Sequence, residues 1–279
     1  VLNGYLRKKN MDVYVTGSNS KFLSTDILTE FRGRGDQIRI HPLSFSEFFS
    51  AFEGSKDEAW QEYFTYGGLP LILTMKSDEQ KIAYLNDLFE MTYIKDIKDR
   101  NKIRYESELG ELLDILASST GSLTNPQKLS NTFKSKRNSS FAETTITRYC
   151  SFLENAFIIS KGSRYDVKGK KYISTPFKYY FEDVGLRNAR LNFRQQEENH
   201  IMENIIFNEL RYRGFSVDVG VVEAREKTPN GKEVRKQLEI DFVANSGSKR
   251  YYLQSAFNLA TPEKDAQERR PFLKVNDSF

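Results

Sequence analysis

Leu238-Glu239-Ile240-Asp241-Phe242-Val243-Ala244, then Asn245-Ser246-Gly247-Ser248-Lys249, then Arg250-Tyr251-Tyr252-Leu253-Gln254-Ser255-Ala256-Phe257 decides how the C-terminal part of the chain is read. Two β-rich arms, Gln237 to Ala244 and Arg250 to Phe257, flank a short polar turn, which is the signature of a hairpin. With the loop at Ser246 to Lys249, residues whose numbers sum to 495 face each other. Asp241 then stands opposite Gln254, and Glu239 opposite Ala256, with directly opposed Cβ atoms ~4.5–5.5 Å apart. Alternation puts Leu238, Ile240 and Phe242 together on the other, buried face. A helix from Asn199 to Tyr212 precedes the hairpin; its apolar stripe is Ile201, Ile205, Ile206 and Leu210, and Gly214 ends it. A strand from Ser216 to Val222 follows. Asp241, the side-chain oxygen of Gln254 and Glu203 on the helix would together suit one hard cation such as Mg²⁺.

Working back along the chain, Leu109, Leu112, Leu113 and Leu116 fall at helical spacing. Asn125-Pro126 then offers an N-cap and a proline at the first helical position, opening a short helix through Leu129 to Phe133. A second periodic helix, from about Ala142 to Asn155, carries Ile146, Tyr149, Cys150 and Leu153 on one face. Thr144, Thr145, Arg148 and Ser151 lie on the other. Phe157 to Lys161 and Lys170 to Ser174 read as two strands around a basic turn, Ser163 to Gly169. Helix, helix, turn, helix and ribbon is the order of a winged helix-turn-helix, with Ala142 to Asn155 as its recognition helix.

The charge balance favours that segment as a contact surface. The 279 residues hold 42 Lys and Arg against 38 Asp and Glu, a net charge of only +4. From Lys128 to Lys171 there are ten basic residues against Glu143, Glu154 and Asp166, a local charge of +7 in 44 residues. The remainder is 32 basic against 35 acidic. Two readings follow for the basic surface: a solvated face on a protein-packing module, or phosphate contacts from Arg148, Lys161, Arg164, Lys168, Lys170 and Lys171. Double-stranded DNA is the expected partner under the second, and a protein partner or self-association under the first.

At the N-terminal end, a buried strand Val13 to Thr16 is expected to run into Gly17-Ser18-Asn19-Ser20, as strands do at the ligand edge of open α/β sheets. A helix from Leu23 to Phe31, Gly33-Arg34-Gly35 and a second strand, Gln37 to Ile40, follow. Ser46 is the expected N-cap of the next helix. Ala59 to Arg100 reads as helical, interrupted at Tyr66-Gly67-Gly68-Leu69-Pro70. No apolar run approaches the ~18 residues of a membrane span, so no membrane association is expected and the cytoplasm is the default location. One cysteine, Cys150, excludes an internal disulfide, and with His41 and His200 it is too little for a usual zinc centre.

Several of these blocks, in this order, resemble a family of bacterial and archaeal AAA-type P-loop ATP-binding proteins with a C-terminal domain of unknown function. Val15 to Ser20, Gly33-Arg34 and Pro42-Leu43-Ser44-Phe45-Ser46-Glu47-Phe48 are similar to the second half of its ATPase core. Tyr66 to Pro70 and Lys178-Tyr179-Tyr180-Phe181-Glu182-Asp183-Val184-Gly185-Leu186-Arg187-Asn188 resemble later blocks. Glu203-Asn204 and the hairpin resemble the last block, which is similar to PD-(D/E)XK nucleases.

The resemblance implies Ser18 or Asn19 as a water- or γ-phosphate-orienting position and Arg34 as a phosphate-sensing arginine. A plain turn residue at Asn19 and a surface salt bridge at Arg34 remain alternatives. ATP and Mg²⁺ are implied for the intact relatives. This sequence contains no G-x-x-x-x-G-K-[ST] loop, so weak or absent ATP binding is expected here. For the nuclease-like part the resemblance implies Glu203, Asp241 and Gln254 as catalytic positions, with Asp241 and Gln254 as metal ligands. Gln254 replaces the second acid and Ala256 the lysine, so an inactive domain is expected unless Lys249 or Lys264 takes the lysine's place. An active Mg²⁺-dependent DNA nuclease and a non-catalytic regulatory module are the alternatives.

The expected fold is therefore α/β and α+β multidomain. It comprises the remnant of a P-loop ATPase sheet (1–50), a helical lid (51–104), a winged helix-turn-helix (105–192) and a restriction-nuclease-like α/β domain (193–279). One complete module would be flanked by two incomplete ones.

Overall fold

The computed structural model describes residues 2–5, 8, 10–16, 38–103, 105–137, 141–194, 197–227 and 233–275. Its architecture is a set of helices followed by a five-stranded mixed sheet in the order β2-β1-β3-β4-β5. After a helical turn, α1 (Leu2–Tyr5), the helices are α2 (Phe45–Ala51), α3 (Lys56–Tyr66), α4 (Asp78–Asp87) and α5 (Lys95–Asn101). A 3₁₀ turn, Pro70–Thr74, precedes α4, and a π-helical stretch, Leu88–Ile94, joins α4 to α5. Then come α6 (Glu106–Ser118), α7 (Pro126–Arg137) and α8 (Glu143–Asn155). The sheet strands are β1 (Ile159–Asp166), β2 (Lys171–Phe181), β3 (Ser216–Lys227), β4 (Glu233–Ser246) and β5 (Lys249–Leu253). Between β2 and β3 lie α9 (Val184–Arg190) and α10 (Glu198–Tyr212), and α11 (Pro262–Arg269) follows β5. Among the described residues no helix is long and apolar enough to cross a membrane.

Local chemistry sets most helix starts. Ser44, Ser55 and Ser77 each accept the N–H of the residue three positions on, Glu47, Glu58 and Gln80, whose side chains reach back to the cap N–H. These capping boxes satisfy two otherwise orphaned donors per helix. The cap of α2 is thus Ser44 and not Ser46, because only Ser44 has its partner glutamate at the third position. Asn125 accepts the Lys128 N–H at 2.7 Å ahead of Pro126, as its sequence suggested. The stripe Leu109, Leu112, Leu113 and Leu116 is buried, and so are Ile146, Tyr149, Cys150 and Leu153. Both enter one large core that runs from Phe48 to Ile205.

The sheet departs from expectation in three places. β1 and β2 are longer than a short ribbon, so the turn shrinks to 167–170. The ribbon also does not stand free: Arg164 to Asp166 continue into a parallel ladder with Val219 to Val221 of β3, while every other neighbour pair is antiparallel. Finally, Asp218 pairs with Val243 and Gly220 with Ile240, so Asp241 and Phe242 together stand against Val219. Such a bulge reverses the alternation beyond it. Ile240 packs with Val243 and Val222 on one side, while Phe242 packs with Tyr180 and Phe207 on the other, so Ile240 and Phe242 do not share a face. The β4–β5 pairs, from Phe242 with Leu253 to Ser246 with Lys249, keep the sum of 495, although β5 stops before Gln254.

The two strands expected near the N-terminus are not in any ladder among the described residues. Residues 13–16 and 38–40 lack a neighbouring strand there. Tyr14 is 82% and Ile40 90% exposed, which a buried strand would not be. The helix expected at Leu23 to Phe31 and Gly33-Arg34-Gly35 lie outside the described residues.

Candidate functional site

The sheet and α10 bring together a charged cluster. The ammonium of Lys178 on β2 bonds Glu203 Oε1 of α10 at 2.8 Å and Glu239 Oε1 of β4 at 2.7 Å, with Asp241 Oδ1 at 3.8 Å. The Lys178 side chain is only 4% exposed. The Tyr180 hydroxyl, one strand repeat further on, donates to Glu203 Oε1 at 2.7 Å. Burial acts to push Lys178 down, but Glu203, Glu239 and Asp241 outweigh it and hold its pKa above the ordinary lysine value. Burial, then the Glu203 charge, push Asp241 up to about 7 against the opposing pull of Lys178 and the Ser255 N–H.

Gln254 sits beside this cluster with its groups otherwise engaged. Its side-chain oxygen accepts the Asp241 backbone N–H at 3.3 Å, and its amide nitrogen donates to Glu268 Oε2 at 2.9 Å. Asp241 Oδ2 accepts the Ser255 N–H at 2.8 Å. Glu203, Asp241 and Gln254 are therefore brought together as the sequence suggested. Lys249 instead pairs with Ser246 at the hairpin turn, and Lys264 lies in the first turn of α11. Among the described residues no group of three or more His, Cys, Asp or Glu is arranged to hold a metal ion.

A second polar cluster joins the sequence blocks around Tyr66 and Glu182. Asp183 caps α9 and accepts the N–H groups of Gly68 at 2.7 Å and Leu186 at 3.0 Å. Burial raises its pKa to about 6, against the pull of those donors. Asn188 donates to the Phe64 and Thr65 carbonyls, closing the same joint. Next to Asp183, the buried Glu182 carboxylate pairs with Arg39 at 2.7 Å and Arg211 at 3.0 Å and accepts the Ser160 hydroxyl. His41 lies 3.9 Å away, its pKa lowered by burial and then by the Arg39 charge. Glu182 and Asp183, with Arg39 and His41, line one side of a cavity of about 420 Å³ shared by residues 15–16 and 38–42 with Tyr93, Phe157 and Leu186.

The basic surface is partly as expected. Arg148 on α8, Lys161 on β1, and Lys168, Lys170 and Lys171 at the ribbon turn are exposed. The Lys161 ammonium lies 3.9 Å from the Phe177 ring centroid. Arg164 is not on that surface. It is 6% exposed, hydrogen-bonds Gln237 at 3.3 Å and leaves its Nε without a partner. Its position opposite both Ile173 and Val219 explains this, since a residue of an interior strand has sheet on both sides. Ser18, Asn19 and Arg34 lie outside the described residues.

Lys178, Glu239 and Glu182 were missed as site residues. The available signal was Lys178, Tyr180 and Glu182 alternating with Phe177, Tyr179 and Phe181 in a strand too apolar to be half-solvated. Polar residues at every second position there point into polar clusters, but the partners come from β4, α10 and the segment before α2, which sequence order does not reveal.

A family model described as "Domain of unknown function (DUF8612)" matches residues 57–197, and an AAA domain model matches residues 1–49. The chain is similar to an uncharacterized protein of Haemophilus influenzae, with 34% identity over 284 residues, covering 100% of this chain and 66% of that protein. It is also similar to the uncharacterized protein MJ1544 of Methanocaldococcus jannaschii, with 27% identity over 274 residues, covering 94% of this chain and 59% of that protein. The chain thus spans less than two thirds of the length of these relatives. No solved structure matches it.

Proposed function

The chain belongs to the family of the domain of unknown function DUF8612 and carries an AAA-domain match at residues 1–49, and we propose that it is the DNA-contacting part of an AAA-type ATP-binding protein. In this reading ATP and Mg²⁺ are handled by the AAA-type part of the whole protein, with Ser18, Asn19 and Arg34 as the positions of this chain nearest that chemistry. Helices α6 to α8 and the β1–β2 ribbon act as a winged helix-turn-helix. The C-terminal sheet with α10 acts as a restriction-nuclease-like scaffold that does not hydrolyse DNA.

The observation that carries the reading is the exposure of Arg148, Lys161, Lys168, Lys170 and Lys171 on one helix and the ribbon beside it. Cations at such positions neutralise backbone phosphates and release condensed counterions, which makes affinity independent of sequence and sensitive to salt. Fluorescence anisotropy on a labelled duplex tests it. Wild type should bind, and Arg148→Ala combined with Lys170→Ala and Lys171→Ala should weaken binding at least tenfold. Equal binding by both proteins, or none by wild type, would leave helix and ribbon as protein-docking surfaces and reject DNA contact.

A further inference from the structure

The nuclease resemblance implies Mg²⁺ at Asp241 and Gln254, with Glu203 beside them, and the residues present do not fit it. The Gln254 carbonyl oxygen is held by the Asp241 backbone N–H, and its amide by Glu268. One Asp241 oxygen accepts from Ser255, and Glu203 Oε1 accepts from both Lys178 and Tyr180. Gln254 Oε1, Asp241 Oδ2 and Glu203 Oε1, three of the oxygens a divalent ion would take at ~2.0–2.6 Å, already receive internal donors. A cation among these carboxylates would also lie within a few ångströms of the buried Lys178 ammonium, where screening is weak and like charges repel strongly.

We propose that Lys178 is the resident cation of this site: its ammonium replaces the divalent metal of a nuclease-like centre and keeps the domain free of metal and of phosphodiester hydrolysis. A tethered charge is present at fixed high local concentration, whatever the free metal level. It brings one positive charge and three N–H donors but no open coordination position. Water therefore has no Lewis acid beside it, and the lysine, bonded to Glu203 and Glu239, is not free to polarise an attacking water. Glu239 takes part because it supplies the shortest of the three ion-pair contacts. The inference deepens the nuclease-like reading of this domain, but it does not depend on DNA binding by the ribbon.

Calorimetric titration of the full chain with Mn²⁺ tests it. Wild type and Lys178→Arg should show no saturable binding up to millimolar metal. Lys178→Met should bind Mn²⁺ at least tenfold more tightly than wild type, and adding Asp241→Asn should abolish that gain. If Lys178→Met unfolds without metal, Mn²⁺ should restore its circular dichroism where K⁺ at equal ionic strength does not. Mn²⁺ binding by wild type, with Mg²⁺-dependent plasmid cleavage lost in Asp241→Asn, would overturn the inference and leave the nuclease-like reading standing. A Lys178→Met protein that neither binds Mn²⁺ nor is refolded by it would overturn both.

Discussion

The Asp183 carboxylate accepts the backbone N–H of Gly68 at 2.7 Å, across 115 positions of sequence. This bond fastens the turn after α3 to the N-terminus of α9, and the fit around it leaves no spare room. A Cβ at Gly185 would lie 2.0 Å from the Tyr66 carbonyl oxygen, and one at Gly67 would lie 2.2 Å from Asp183 Oδ1. Gly67 also has a φ of +79°, which side chains disfavour.

Gly185→Ala should consequently destabilise the fold by about 1–3 kcal/mol or more, since overpacking against fixed backbone cannot relax through a side chain. Gly214→Ala is the control: unlike Gly185 it has a positive φ, of +80°, but an added Cβ there meets nothing within 4 Å. It should cost only the ~1 kcal/mol of backbone strain. Urea denaturation of both variants would contradict the interlock if their costs were equal.

Asp241 gives stability a pH dependence with a definite sign. Its pKa is 3.8 in the ordinary state and about 7 in the fold, so between those values the folded chain holds a proton that the unfolded chain has released. Folding stability from this group is therefore full below about pH 4, falls as pH rises, and is lost above pH 7. Asp241→Asn cannot lose that proton. Wild type should accordingly lose stability relative to Asp241→Asn as urea midpoints are followed from pH 4 to 8. Parallel midpoint curves would refute the raised pKa.

Glu182 holds the segment before α2 to the sheet through Arg39, and it holds α10 through Arg211. Glu182→Gln keeps the shape but removes the charge from two arginines. Amide exchange over residues 38–44 should accelerate at least tenfold, while the α6 to α8 amides stay unchanged. Unaltered exchange in 38–44 would show that other contacts seat the segment.

Arg164 and Lys171 should separate folding from DNA contact. Arg164→Ala is expected to cost roughly 1–3 kcal/mol of stability through lost packing in an interior strand. The fraction that remains folded should bind duplex normally. Lys171→Ala should leave stability within about 0.5 kcal/mol and weaken DNA binding. The reverse pattern, measured by denaturation and anisotropy on the same samples, would place Arg164 on the DNA.

How far these features could be read in advance depended on whether their causes were local. The α6 and α8 stripes were legible because Leu109 to Leu116 and Ile146 to Leu153 repeat at helical spacing within one segment. The β4–β5 register was legible because a short turn fixes it, and with it came the proximity of Asp241 to Gln254. The facing of Phe242 was not, since the bulge that turns it arises from pairing with β3. Arg164 looked like a ribbon cation until β3 covered its open side. Lys178 could be quoted as part of a block, but its role depends on Glu203 and Glu239, which reach it from another helix and another strand.

The salt dependence of duplex binding tests the central claim most directly. If the exposed cations of α8 and the β1–β2 ribbon meet backbone phosphates, log K should fall linearly with log salt concentration. The slope should be about −4 to −5, with each of the five cations contributing ~0.9. Replacing Arg148, Lys170 and Lys171 by alanine should flatten it to about −2. A wild-type slope near zero, or one unchanged in the triple variant, would contradict DNA contact through this surface.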